Sequence, residues 1–228
     1  MPDAGKTTIF PLSESSLVVE FGREVSVEFN ERSISLADHL AANPFPGYIE
    51  SVPCYASTAI FYDVPTVKRE FPTAQTAFET VKNLIGSILE SVDLANFSES
   101  RLVEIPVSFD EEYAMDLPFI AEYAGASQSE AIDIFTSMTY RVFMLGFLPG
   151  FTYMGEVDSR LAVPRKKSPR LKVPSGSVGI AGRQTGIYPF ESPGGWQIIG
   201  RTDTDIFIPE SDPPCLFRPG DHVRFIRA

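Results

Sequence analysis

The stretch Pro164–Gly182, PRKKSPRLKVPSGSVGIAG, gathers residue types that bind anions. Arg165 and Arg170 stand five residues apart, and each follows a proline. Proline fixes its own φ and restricts its neighbour, so each guanidinium sits on backbone of limited freedom. A planar fork held this way suits carboxylate or phosphate. The glycines that follow let main-chain N–H groups approach an anion closely, as nests do. Ser175, Ser177 and Gln184 add neutral donors, and Arg201 adds a cation downstream. Residue types alone leave two readings open. One is an anion-binding face made by Arg165, Arg170, Ser175, Ser177, Gln184 and Arg201. The other is a set of turns whose cations are solvated or balance nearby carboxylates.

The surroundings sharpen the contrast. The 228-residue chain carries a formal charge of −11. From Val163 to Arg201 there are seven Lys/Arg against one acid, Glu191, so this segment is +6 and the rest is −17. The same segment holds seven glycines and five prolines, which marks it as loop-rich. The acidic balance argues against nonspecific nucleic-acid binding and against an anionic membrane surface. No stretch approaches the length of a membrane span, and the N-terminus lacks a signal-peptide apolar run. Cys54 and Cys215 follow no metal or redox spacing, so a cytoplasmic chain with reduced thiols is expected.

Other chemistry fits poorly. Gly5-Lys6-Thr7 resembles the end of a phosphate-binding P-loop, but the first glycine and the preceding strand are missing. Ser175-Gly176-Ser177-Val178-Gly179 has serine where a nucleophile elbow needs glycine. With His39 and His222 as the only histidines, a Ser-His-acid triad has few possible bases. Two His and two Cys, dispersed, make no zinc site. No residue is singled out as catalytic, and no metal is expected. Gly146-Phe147-Leu148-Pro149-Gly150-Phe151 reads as a rigid corner that packs aromatics into the core. Ser192–Trp196 is a turn delivering the only tryptophan.

These residues need a scaffold. Leu17–Phe21 reads as a strand, and Ser35–Ala42 as a short helix with Leu36, Ala37 and Leu40 on one face. Tyr48–Val52 and Ala56–Tyr62 are strand-like. Thr76–Val92 is the clearest helix, opened by a Thr76/Glu79 capping box. Arg101–Phe109 alternates as a strand. The order β-α-β-β-α-β predicts a split-βαβ, ferredoxin-like α+β unit, with Asn96–Ser100 as its boundary and domains at 1–99 and 100–228. Further on, Leu117–Tyr123 is a short helix stopped by Gly125, and Ser127–Met138 another with a Ser127/Glu130 box. Then come short strand-like runs at Tyr140–Phe147, Ser177–Ala181, Trp196–Gly200, Ile206–Ile208 and His222–Ile226. Such runs between Gly/Pro turns predict a sandwich or small barrel.

Five segments occur in order: Gly146–Tyr153 (GFLPGFTY), Pro164–Arg170 (PRKKSPR), Val173–Gly182 (VPSGSVGIAG), Gln184–Pro189 (QTGIYP) and Ser192–Thr202 (SPGGWQIIGRT). Supporting matches include Phe21-Gly22, Gly47–Tyr55, Ile105-Pro106-Val107, Asp116-Leu117 and Gly220–Phe225. Together they closely resemble one family. It contains the small subunit of bacterial ATP-dependent 5-oxoprolinase, proteins labelled allophanate hydrolase subunit 1, and the sporulation-kinase inhibitor KipI. The resemblance implies an α+β N-terminal domain and a cyclophilin-like β-barrel. It also implies a larger carboxyltransferase-like partner and a third, lactam-utilisation-type subunit. ATP is then used by the complex, which opens the lactam of 5-oxoproline to glutamate. The family's other members imply two alternatives: inhibition of a histidine kinase, or a part in urea or allophanate metabolism. The chain departs from the family where Phe135 stands in place of a frequent histidine, and at Ser108-Phe109-Asp110.

Overall fold

The computed structural model describes residues 7–72, 75–92 and 100–228. Gly5 and Lys6 of the P-loop-like run, and most of the expected boundary at 96–100, lie outside them. The chain forms two compact units, Met1–Glu99 and Ser100–Ala228.

In the first unit, strands β1 (Thr8–Ser13), β2 (Ser16–Glu20), β3 (Tyr48–Cys54) and β4 (Ser57–Tyr62) form an antiparallel sheet in the order β1-β2-β4-β3. Helices α1 (Val27–Ala42), α2 (Val64–Glu70) and α3 (Ala77–Ser91) complete the unit. Leu17, Val19, Ile60 and Tyr62 of the sheet are fully buried with Leu36, Leu40, Val67, Val81 and Ile85 of the helices. α3 begins at the expected capping box, with Thr76 and Glu79 bonding reciprocally. α1 starts eight residues before the expected Ser35. Its first turns escape periodicity because their buried positions are polar. Asn30 donates to the Tyr55 carbonyl at 3.0 Å, and Ser33 bonds strand β4. Pro11 hides β1 from the sequence pattern, although a strand tolerates proline at a sheet edge. α2 also lies outside the expected elements, although Asp63 caps it and Pro65 stands in its first turn.

The ferredoxin-like order is not completed. Its last strand, β5 (Leu102–Val107), runs parallel to β13 (His222–Arg227) in the second unit's sheet. A strand joins the partner that buries its alternating face, and here Ile105 and Val107 enter the second core.

That second sheet adds β6 (Tyr140–Leu145), β7 (Thr152–Gly155), β9 (Ser177–Ala181), β10 (Gln184–Ile187) and β12 (Gln197–Arg201) in the order β12-β9-β10-β7-β6-β13-β5. Its two edges meet where Ser108 and Arg201 exchange backbone hydrogen bonds of 2.8 and 3.0 Å. The result is a nearly closed barrel-like sheet. A separate ribbon pairs β8 (Arg170–Val173) with β11 (Ser192–Gly194). Helices α4 (Leu117–Ala124) and α5 (Gln128–Ser137) pack on the barrel core through Ile120, Ala121, Ile132 and Phe135. Gly125 ends α4 at φ 64°, in the left-handed region that suits glycine. The expected strand at Ile206–Ile208 reduces to one bridge between Phe207 and Cys215.

Phe135, set apart in the sequence as a departure from the family it resembles, is fully buried. Its ring stacks on Phe225 at 4.9 Å and lies 5.2 Å from Tyr140. The position serves packing in this chain.

Candidate functional site

The cationic segment is organised by an acid that composition did not reveal. Asp116 immediately precedes α4 but makes no side-chain cap for it. Its carboxylate is buried and accepts four hydrogen bonds. Arg170 donates Nη2 to Oδ1 at 2.7 Å and Nη1 to Oδ2 at 2.9 Å. Lys166 Nζ donates to Oδ1 at 3.2 Å, and the Ile198 N–H to Oδ2 at 2.7 Å. The backbone joins in, with Asp116 N–H bonding the Ile198 carbonyl and Lys166 N–H the Gly195 carbonyl. Burial alone would raise the Asp116 pKa, but the Arg170 fork and the Ile198 N–H outweigh it and hold the carboxyl below its ordinary value.

This assigns Arg170 a different task from the expected one. Both of its terminal nitrogens are committed to an internal carboxylate, so it anchors the ribbon β8–β11 to the start of α4. The segment's other cations divide similarly. Lys172 pairs with Glu191 at 2.9 Å, Arg183 with Glu156, and Arg201 with Asp203 at 3.9 Å. With Lys166 and Arg170, five of the seven balance carboxylates. Among the described residues, Arg165 and Lys167 make no ion pair, and both are exposed.

The glycines serve turns rather than an open nest. Gly176 sits at φ 78°, and its N–H bonds the Tyr188 carbonyl at 2.8 Å. A Cβ there would lie 2.0 Å from the Thr202 carbonyl oxygen, so only glycine fits. The Gly182 N–H is likewise spent on the Val163 carbonyl.

The expected site residues therefore do not converge. Ser177 is buried opposite Arg201 in the β9–β12 register, and Ser175 donates to the Pro189 carbonyl at 2.8 Å nearby. Gln184 lies opposite Ala181, at the far end of β9. Four residue steps along a strand separate Ser177 from Ala181, about 13 Å. Arg201 also lies 5.4 Å from the Tyr113 ring centroid, a cation–π contact at the barrel seam.

Arg165 has a different neighbourhood. It and Arg170 act electrostatically on Tyr188, a buried phenol. Burial pushes the Tyr188 pKa up, while the Trp196 backbone N–H and the two arginines pull against that rise. Tyr188 belongs to an aromatic cluster centred on Phe151. Phe147, Tyr153, Tyr188 and Trp196 all meet its ring edge to face, at centroid separations of 5.0–5.6 Å. Gly194 lets the β11 backbone lie against the Tyr188 hydroxyl, where a Cβ would come within 2.4 Å. The expected corner at Gly146–Phe151 does pack Phe151 into the core. Phe147, however, is 61% exposed and sits at φ 69°. Bulky residues rarely adopt that region, so the backbone at Phe147 is strained. Sequence reasoning named Asp116 only within the Asp116-Leu117 match and Tyr188 only within the Gln184–Pro189 segment, and gave neither a role.

Comparison with known proteins places this geometry. Residues 7–217 match the family described as carboxyltransferase domain, subdomain C and D. The chain belongs to that family. Within it, the chain is 42% identical over 217 residues to the B subunit of 5-oxoprolinase from Bacillus subtilis, covering 95% of this chain and 90% of that protein. The corresponding 5-oxoprolinase protein of Escherichia coli O157:H7 is 37% identical, with 94% and 93% covered. A crystal structure of TTHA0988 superposes with a TM-score of 0.79 at 37% identity, over 93% of this chain and 40% of that longer one. The Kluyveromyces lactis urea amidolyase shares the fold, with a TM-score of 0.74 at 22% identity over 15% of its length. Family membership accounts for a mixed α/β chain with a nearly closed barrel.

Proposed function

We propose that this chain is the small subunit of an ATP-dependent 5-oxoprolinase and acts only within a complex. The observation that carries the reading is near full-length similarity to the 5-oxoprolinase B subunits of Bacillus subtilis and Escherichia coli O157:H7. On this reading the barrel is a cyclophilin-like domain, residues 1–99 and 100–228 are its two domains, and the complex works in the cytoplasm. No helix among the described residues is long and apolar enough to cross a membrane. The partners are a larger carboxyltransferase-like subunit and a lactam-utilisation-type subunit.

The chemistry explains why a complex is required. Amide resonance makes the lactam carbonyl a poor electrophile. Transfer of the γ-phosphoryl group of ATP to the lactam oxygen removes that resonance. Water then adds at the carbon, the C–N bond breaks, and a second water releases phosphate, leaving glutamate, ADP and phosphate. Developing negative charge on oxygen is what preorganised cations and N–H donors stabilise. In this chain Arg165, exposed and outside any ion pair among the described residues, fits the role of carboxylate contact. Ser175, Ser177 and Arg201 form a second group at the barrel seam, and Gln184 stands apart. Arg170 acts by positioning the segment that carries Arg165.

Substrate profiling tests the assignment. A complex reconstituted with this chain should release glutamate from 5-oxoproline and leave allophanate intact. Turnover of allophanate with none of 5-oxoproline would overturn it.

A further inference from the structure

Among the described residues, the four-stranded sheet of the first unit has one face packed on helices and one that meets no helix core. Leu17, Val19, Ile60 and Tyr62 point to the packed side. Their alternates point to the other. In register across the sheet, that second face presents Phe10, Val18, Ala59 and Val52 in one row, with Phe61 beside them. Phe10 and Val52 are 40% and 38% exposed. An antiparallel sheet that faces water on its second side ordinarily alternates to polar residues there. This one keeps an apolar row.

The edges are closed to strand addition. β1 carries Pro11 and β3 carries Pro53, each lacking an N–H, and both strands have register shifts. The face is therefore the available surface. Six strand residues by four strands give about 20 Å by 19 Å, or roughly 400 Å². That is about half the area one partner contributes to a standard interface, so the row forms an apolar centre that a polar rim must extend.

Charge selects the occupant. The strand residues of this face include Glu20 and Glu50 and no Lys or Arg. Residues 1–99 hold fourteen acids against six Lys/Arg, a net −8. A second copy of the same face would oppose like charges. In TTHA0988 the matching segment is 40% of one polypeptide, so there it is tethered to a larger remainder.

We infer that this face docks the larger subunit of the complex, through an apolar patch on that subunit rimmed by Lys and Arg. The inference rests on the subunit reading above. The test measures binding of the full chain to the purified larger subunit. The variants are Phe10→Glu/Val52→Glu, the milder Phe10→Ser, and Val27→Glu on exposed α1 as control. The double variant should weaken Kd tenfold or more, and Phe10→Ser by a smaller factor. Val27→Glu should stay within threefold of wild type. Wild-type affinity in the double variant would remove the face while sparing the subunit reading. Failure of the wild type itself to bind would remove both. A wild-type homodimer that Phe10→Glu/Val52→Glu converts to monomer would assign the face to a second copy and overturn the inference.

Discussion

Replacing Asp116 with alanine separates a structural cation cluster from a ligand-binding one. The carboxylate is buried and accepts bonds from Arg170, Lys166 and the Ile198 N–H. The side chains of Arg170 and Lys166 are 22% and 29% exposed, so neither is fully solvated once the acid is gone. Removing one partner of such a buried pair costs about 3–5 kcal/mol. Within that cost, the orphaned Ile198 N–H accounts for about 1–3 kcal/mol. For a unit the size of Ser100–Ala228, each kcal/mol shifts the melting temperature by roughly 3–5 °C. Asp116→Ala should therefore lower the melting temperature of this unit by about 10–20 °C in differential scanning calorimetry. Lys172→Ala, which breaks the exposed pair with Glu191, should leave it unchanged. Equal melting curves for Asp116→Ala and wild type would refute the claim that this acid anchors the segment.

Four further outcomes follow from the same geometry. Arg165→Ala should raise KM for 5-oxoproline in the complex without moving the melting temperature, whereas Arg170→Ala should lower the melting temperature. The reverse split would reassign the two arginines. The Asp116 carboxyl is held below its ordinary pKa, so its contribution is full above the unfolded value of about 3.9 and lost as pH falls through the folded one. Acid titration of stability should accordingly be steeper below about pH 4 in wild type than in Asp116→Asn, and parallel curves would contradict this. Gly176→Ala meets the Thr202 carbonyl at a positive φ and should cost about 3 kcal/mol or more by denaturant titration. Phe135→Ala empties a stacked core site and should cost about 3–5 kcal/mol by the same measurement.

Parts of the fold are legible in the sequence for identifiable reasons. Helix α3 is plain because its apolar positions repeat at helical spacing behind a capping box. Helix α1 loses its first turns to the pattern because Asn30 and Ser33 are buried by hydrogen bonding rather than by hydrophobicity. β5 reads correctly as a strand, yet local pattern cannot say which sheet a strand will join, and it pairs with β13, more than a hundred residues away in the chain. The cationic segment is visible as charge, but its meaning depends on Asp116, fifty positions upstream of Lys166. Pairing across such separations leaves no trace in spacing. Phe147 is visible as part of an unusual run, but its exposure and its left-handed backbone belong to the folded loop.

On the proposed reading, this chain is an indispensable but non-autonomous part of a lactam-opening enzyme. The most direct measurement follows glutamate and ADP from 5-oxoproline and ATP, using purified subunits with this chain supplied or omitted. Equal amounts of glutamate and ADP are expected when all subunits are present, and neither product from this chain alone or from the others without it. Undiminished glutamate formation in the mixture lacking this chain would contradict that reading.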